Sequence, residues 1–163
     1  MRIRFPLFLI AFWISLVQPL PADAQATAMP AFKMLLTNGK YYTAADLPKS
    51  KPVVLIYFAP DCDHCIQLMD AFFKKIESFK NAQVVLVTFK PISDLPLFER
   101  TYQTAKYPNI KVGTEGSTYY LRNFYKLQNT PFTALYDKEG KLVHSYRKDT
   151  LVPDLVKRLN TIP

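Results

Sequence analysis

The chain has 163 residues, of which 49% are hydrophobic, 21% charged and 14% aromatic, and its formal net charge is +8. This length fits one domain, and the apolar fraction excludes a mainly disordered chain. A domain of this size buries about two thirds of its surface without covalent help, so we do not expect a disulfide-stapled miniprotein. Thirteen prolines against four glycines exclude a collagen-like or glycine-rich chain.

The first residues have the pattern of a secretory signal peptide. Two arginines precede an apolar run from Phe5 to Leu20, and an Ala-x-Ala sequence ends at Ala24. We therefore predict cleavage after Ala24, with cleavage after Ala26 as the second choice. A retained membrane anchor is the alternative, although the run is shorter than the about 20 residues that a membrane span needs.

This prediction divides the chain into a signal peptide (residues 1–24), a short flexible segment (25–31) and one domain (32–163). We expect an exported protein, which is periplasmic if the source is a Gram-negative bacterium. The remaining lysines are scattered rather than gathered into an arm or a stripe. The sequence therefore favours a solvated basic surface and no nucleic-acid partner.

Cys62 and Cys65 are the only cysteines, in the sequence Cys62-Asp63-His64-Cys65. A bridge across two residues closes almost no loop and adds little stability, so the spacing favours a disulfide that is made and broken. A structural staple is the alternative. Zinc needs four ligands, and besides the two thiols the chain offers only His64 and His144. We expect neither a metal nor an organic cofactor.

The sequence around the cysteines predicts a strand, a helix and a second strand. A β-branched and aromatic run covers residues 53–58, apolar residues follow at helical spacing from Cys65 to Phe79, and a second buried-type run covers 84–89. Such a unit forms a parallel sheet with a right-handed crossover. The cysteines would then lie at the carboxyl edge of the sheet, where sites of such folds gather.

Cys62 is predicted to lie at the first turn of this helix, where free N–H groups and the helix dipole favour an anion. A thiolate stabilised in this way attacks disulfides, and Cys65, one turn deeper, would resolve the mixed disulfide. His64 can add positive charge or a hydrogen bond. Asp61 and Asp63 oppose the thiolate by repulsion, so the pKa of Cys62 stays open at this stage.

A second motif lies further along the chain. Thr130-Pro131 precedes a predicted hairpin whose turn covers residues 137–140. Together with the cysteine motif, it resembles the thioredoxin superfamily, and most closely the secreted TlpA/ResA-like disulfide reductases and their redoxin relatives. The resemblance covers about residues 32–159. It implies a thioredoxin-like α/β fold: a central mixed sheet flanked by helices, with an N-terminal extension and a mid-chain helical insert.

The resemblance also implies that Pro131 is preceded by a cis peptide bond and lies against the cysteines, leaving the backbone of Thr130 free to pair with a substrate peptide. Three positions depart from thioredoxin. Asp61 replaces its tryptophan, Ile56 its buried aspartate, and Asp63-His64 its Gly-Pro dipeptide. A dipeptide ending in histidine is similar to that of oxidising members such as protein disulfide isomerase.

Two other activities of related proteins are not expected. A peroxiredoxin needs Thr or Ser three residues before its reactive cysteine, and Ala59 occupies that position. A Sco-type copper carrier uses Cys-x-x-x-Cys with a distal histidine; His144 is available, but the cysteine spacing here is one residue shorter.

The remaining segments are predicted from periodicity and turn residues, with the aromatic residues of the middle region packed on the sheet. The predicted elements are an extension over 32–47 with a turn at 37–39, a helix over 95–105, a loop over 111–117, a helix over 118–127 and a closing helix over 151–159 with Thr150 as its N-cap.

We therefore expect an exported thiol–disulfide oxidoreductase that acts on protein substrates. Cys62 would attack, Cys65 would resolve, His64 would tune the thiolate, and Thr130 with Pro131 would shape the docking edge. We favour a reductase; a dedicated oxidase or isomerase, and a non-catalytic protein-binding module, are the alternatives. The expected partners are protein thiols or disulfides and a membrane-linked thiol–disulfide electron donor or acceptor, and we expect a monomer.

Overall fold

A computed structural model describes residues 27–163. The predicted signal peptide and its cleavage sites lie outside the described residues. At the start of the described chain, Ala28 forms a β-bridge with Lys141, and the Met29 N–H donates to the Gly140 carbonyl at 2.8 Å. Among residues 27–163, no helix combines the length and the apolar character that a membrane crossing requires.

Within these residues, seven strands form one mixed sheet in the order β2-β1-β5-β4-β3-β6-β7. The strands are β1 (Lys33–Leu36), β2 (Tyr41–Thr43), β3 (Val53–Phe58), β4 (Gln83–Thr88), β5 (Ile110–Thr114), β6 (Phe132–Tyr136) and β7 (Leu142–Arg147). Four helices lie wholly within the same range: α1 (Asp63–Phe73), α2 (Leu95–Tyr102), α3 (Tyr120–Phe124) and α4 (Val152–Leu159).

The three central strands, β3, β4 and β5, are parallel, and the neighbours on both sides are antiparallel. Alternate residues of β3 enter two cores. Phe58 packs with α1, α2 and α4 on one face, whereas Tyr57 packs with β1, β2 and α3 on the other. Burial on both faces explains the continuous apolar run of this strand. The thioredoxin-like mixed sheet flanked by helices is confirmed.

The helix after the cysteines is shorter than predicted. It ends at Phe73, and a separate 3-10 turn covers Ile76–Phe79. Phe79 still reaches the core, where its ring lies 4.3 Å from that of Phe72. The apolar stripe continues because a spacing of three residues also fits a 3-10 turn, so periodicity alone did not reveal the break.

The largest difference between the predicted and the observed elements lies in the middle of the chain. Residues 111–117 were predicted to be a loop, but β5 occupies Ile110–Thr114 and pairs with β4 and β1. Lys111 and Gly113 interrupt the apolar pattern of this strand. Gly113 is required by its neighbours, because an added Cβ would lie 2.8 Å from the Leu35 carbonyl oxygen. Tertiary pairing therefore decides the conformation here.

Three helix boundaries also differ from the prediction. The first middle helix ends at Tyr102, and the second is the short α3 instead of residues 118–127. The closing helix has Leu151 rather than Thr150 as its N-cap, because the Thr150 hydroxyl is paired with the Thr133 hydroxyl at 2.8 Å.

Gly113→Ala is expected to lower the free energy of unfolding by about 1–3 kcal/mol, since the new methyl group must displace the Leu35 carbonyl or the Met34 side chain. Chemical denaturation measures this loss. Lys111→Ala, two residues away on the same strand, is the control and should change stability by about 0.5 kcal/mol or less. Equal stability of both variants would contradict the close approach of β1 to β5.

Candidate active site

The cysteine motif lies at the carboxyl edge of the parallel strands. Cys62 is the N-cap residue of α1, and its carbonyl accepts the N–H of Ile66 at 2.9 Å. Its own N–H donates to the Ala59 carbonyl at 3.2 Å, which closes a tight turn after β3. Phe89 and Glu115 follow β4 and β5 at the same edge. The strand-to-helix corner predicted for Cys62 is therefore present.

The sheet brings Thr130 and Pro131 to the same corner. Because β6 runs antiparallel to β3 with Tyr57 opposite Phe132, the residues before β6 lie beside the end of β3. The Cys62 thiol donates to the Thr130 carbonyl at a sulfur–oxygen distance of 3.7 Å. The peptide bond between Thr130 and Pro131 is cis. Residues 68 positions apart in the chain thus form one site.

The two thiols are free and have different surroundings. Cys62 is half-buried. Cys65 lies in the first turn of α1, and its side chain is part of the core and 1% exposed. The backbone N–H of Ala59 donates to the Cys65 sulfur at 3.4 Å. One sulfur therefore remains accessible to a second molecule, and the other is held behind it.

These surroundings shift the two pKa values in opposite directions. Partial burial of Cys62 opposes ionisation, but hydrogen bonds from the Cys65 thiol and backbone N–H, the Thr130 side chain and the His64 N–H outweigh it and lower the pKa of Cys62. Burial raises the pKa of Cys65 to about 12. The N–H groups of His64 and Cys65 belong to the first turn of α1, as expected for a thiolate at a helix start.

The acidic residues beside Cys62 are partly balanced. Lys90 donates to the Asp61 carboxylate at 2.6 Å, and this hydrogen bond lowers the pKa of Asp61. Asp63 is exposed in the first turn of α1, and His64 is exposed beside it. The repulsion that the sequence predicts from Asp61 is thus reduced by a neighbouring cation that the sequence did not reveal.

A cleft of about 490 Å³ opens at Cys62. His64 and Thr130 lie in its wall together with Tyr57, Phe89, Arg122 and Lys148. The cleft therefore contains every predicted site residue except Cys65, which is buried, and Pro131, which lines the neighbouring cavity.

A buried carboxylate behind this cleft was missed by the sequence analysis. Glu115 is 6% exposed and accepts the Tyr57 hydroxyl at 2.7 Å and the Leu121 N–H at 2.8 Å. Burial of the Tyr57 ring, together with the hydrogen bond to Glu115, raises the pKa of the Tyr57 hydroxyl. Glu115 follows a strand that was predicted to be a loop, so its burial had no signal in the sequence.

The chain matches the AhpC/TSA family over residues 26–152 and belongs to it. Its structure is similar to those of thioredoxin-like proteins of low sequence identity. A candidate thioredoxin from Neisseria meningitidis has a TM-score of 0.68 at 22% identity, covering 83% of this chain and 89% of the other. The chain matches none of the curated proteins with which it was compared.

Two further structures are similar over most of their length. The exposed lipoprotein thioredoxin of Streptococcus pneumoniae has a TM-score of 0.61 at 23% identity, over 80% of this chain and 98% of that chain. A secreted Mycobacterium tuberculosis disulfide oxidoreductase, homologous to E. coli DsbE, has a TM-score of 0.66 at 16% identity, over 85% and 98%. The thioredoxin-like fold is thus shared, and the resemblance found in the sequence is confirmed.

Alkylation of the reduced protein should modify Cys62 and leave Cys65 intact. The rate of Cys62 alkylation should rise with pH as its thiolate forms and level off above its pKa, which is lower than that of an unperturbed cysteine. Cys65 should stay protonated at all pH values well below about 12. The kinetics of iodoacetamide modification measure the pH dependence at Cys62, and mass spectrometry shows whether Cys65 is modified. Equal modification of the two thiols at neutral pH would contradict their separation.

Glu115→Gln is expected to destabilise the protein by about 1–3 kcal/mol, because the amide keeps one acceptor oxygen where the carboxylate has two. Either the Tyr57 hydroxyl or the Leu121 N–H then loses its acceptor. Thermal and chemical unfolding measure the loss. Glu139→Gln, at an exposed residue of the hairpin turn, is the control and should be neutral. An unchanged stability of Glu115→Gln would contradict the buried network.

Proposed function

We propose that this chain is an exported thiol–disulfide oxidoreductase that exchanges disulfides with protein substrates through Cys62 and Cys65. The observation that carries the proposal is the asymmetry of the two thiols. Cys62 is accessible, has a lowered pKa and touches Thr130, whereas Cys65 is buried with a raised pKa one turn behind it. A structural disulfide requires no such difference between its two sulfurs.

In the reducing direction, the Cys62 thiolate attacks one sulfur of a substrate disulfide. A bond forms between Cys62 and that sulfur, and the other substrate sulfur leaves as a thiolate that takes up a proton. Cys65 then loses its proton and attacks the Cys62 sulfur, which releases the second substrate thiol and leaves a Cys62–Cys65 disulfide. Two electrons and two protons pass to the substrate, and the reverse sequence oxidises a dithiol.

The raised pKa of Cys65 is compatible with its resolving role. Burial is the main cause, but the charge of the nearby Cys62 thiolate also raises this pKa. When Cys62 enters a mixed disulfide, that charge is gone and the pKa of Cys65 falls. The attack of Cys65 is therefore favoured after a substrate has been captured and not before.

Thr130 and Pro131 are proposed to form the docking edge for the substrate. The Pro131 carbonyl is already bound by the N–H of Lys148 at 3.1 Å, whereas the Thr130 carbonyl faces Cys62. An extended substrate segment can pair with the Thr130 backbone while its sulfur reaches Cys62. His64, at the wall of the cleft, is proposed to stabilise the Cys62 thiolate by charge or by a hydrogen bond.

We propose that the protein acts as a reductase, with a dedicated oxidase or isomerase as the alternative. Export is supported by the signal-like start of the sequence and by similar structures that are described as secreted or exposed. Electrons would then come from a membrane-linked thiol–disulfide partner, because an exported protein has no direct access to cytosolic reductants. We propose that it works as a monomer.

Cys65→Ser is expected to accumulate mixed disulfides between Cys62 and its substrates, because the resolving sulfur is absent. A non-reducing gel followed by mass spectrometry detects them, and Cys62→Ser is the matched control that should trap nothing. The unaltered protein should reduce insulin. No adducts with Cys65→Ser, together with no insulin reduction, would favour a thioredoxin-like binding module instead.

A redox titration of the Cys62–Cys65 couple determines the direction of exchange. A reductase should have a potential near the about −270 mV of thioredoxin, and an oxidase one near the about −120 mV of the most oxidising relatives.

A further inference from the structure

The cleft at Cys62 adjoins a second cavity. Residues 127–129 and Lys148 line both, and the second cavity has a volume of about 290 Å³. Four basic side chains line the two cavities. Arg122 lines the cleft, Lys126 and Arg147 line the second cavity, and Lys148 lines both. We call these four residues with their two cavities the cationic groove.

Among the residues that the structure describes, no carboxylate lines either cavity. Glu115 lies behind the cleft and is engaged by Tyr57 and Leu121, and Asp61 is paired with Lys90. Asp149, next to Lys148 in the chain, is exposed but does not line the groove. Within residues 27–163, none of the four groove cations forms a salt bridge. The positive charge of the groove is therefore not neutralised by the described part of the protein.

The two arginines are held in place by neutral partners. Arg122 donates to the Leu127 and Gln128 carbonyls at 3.3 Å, and its guanidinium lies 5.5 Å from the centre of the Phe89 ring. Arg147 donates to the Tyr125 carbonyl at 3.0 Å. These bonds order the guanidinium groups and leave their charge available to an anion, which is the arrangement of a preformed site.

The two lysines are held in an unusual backbone conformation. Lys126 has φ of 52° and Lys148 has φ of 75°, values that favour glycine or asparagine. Both side chains are exposed at the same cavity. Lys126 has the left-handed conformation that commonly ends a helix, here α3, with the Leu127 N–H donating to the Arg122 carbonyl at 2.8 Å. Lys148 instead follows β7, where a non-glycine residue in this conformation costs stability. The hydrogen bond from the Lys148 N–H to Pro131 attaches this strained residue to the docking edge.

We propose that the cationic groove binds an acidic stretch of the client polypeptide beside its reacting cysteine. This inference rests on the proposed exchange at Cys62 and names the class of substrate. The client segment would lie along Thr130 with its sulfur at Cys62, and its Asp or Glu side chains would face Arg122, Lys126, Arg147 and Lys148. Charges this close to the reacting sulfur raise the rate of productive encounter, and salt screens them.

The test uses two disulfide-linked peptide homodimers that carry a self-quenched fluorophore. One has Asp and Glu around its cysteine and the other has Lys at the same positions. Since each dimer is symmetric, attack on either sulfur gives the same products. The reduced protein, in excess over peptide, should cleave the acidic peptide with a second-order rate constant about tenfold higher than that for the basic peptide at low ionic strength. The ratio of the two rate constants should fall towards one in about 0.5 M salt.

The double variant Lys126→Glu/Lys148→Glu should reverse the preference for the acidic peptide. Lys40→Glu/Lys80→Glu makes the same change of net charge at exposed positions outside the groove, and should retain the preference. Lys126→Gly/Lys148→Gly removes the two charges together with the backbone strain. It should be at least as stable as the unaltered protein and still lose most of the preference, which separates binding from folding.

The outcomes distinguish this inference from the proposed function. Cleavage of neither peptide would refute the exchange reaction itself. Equal cleavage of both peptides, or a preference that survives in the Glu and Gly variants, would refute the acidic-client inference and leave the exchange reaction standing. Loss of the preference in Lys40→Glu/Lys80→Glu would show that net charge, and not the groove, selects the substrate.

Discussion

The antiparallel pairing of β6 with β3 is the constraint on which the site depends. It sets Tyr57 opposite Phe132 and so holds the Thr130 carbonyl 3.7 Å from the Cys62 sulfur. The helix start alone would give an exposed cysteine with free N–H groups around it. The neighbouring strand adds the Thr130 backbone at the same sulfur, and this backbone is the edge at which we propose that a client segment pairs.

The chemistry follows from placing two identical groups in different surroundings. Two residues separate the accessible Cys62 from the buried Cys65, and the first-turn N–H groups stabilise charge on Cys62 alone. Ile56, the residue that replaces the buried aspartate of thioredoxin, is fully buried in an apolar core. The pKa of Cys65 is therefore raised by burial and by the charge of Cys62, and no carboxylate occupies the position of Ile56 on β3.

Acidic and basic side chains lie on different sides of Cys62. Asp61 and Asp63 flank Cys62 at the start of α1, and Lys90 balances the first of them. The charged side chains that line the cationic groove, counted over residues 27–163, are all basic. Glu115 does not alter this, because it is buried and serves the packing of Tyr57 against α3. The unpaired charge of this groove is the basis on which we propose that the protein selects among clients.

Local patterns in the sequence were sufficient to predict the strand-to-helix corner at Cys62, the hairpin after Pro131 and the apolar strands β3 and β4. Each is specified within a few residues, through buried periodicity or turn chemistry. β5 and the buried Glu115 could not be found in this way. The strand contains Lys111 and Gly113, and it exists because β4 and β1 pair with it on both sides. The balanced charge of Asp61 and the cationic groove likewise join residues that are distant in the chain. Their charges interact only through space, so folding alone decides which of them meet.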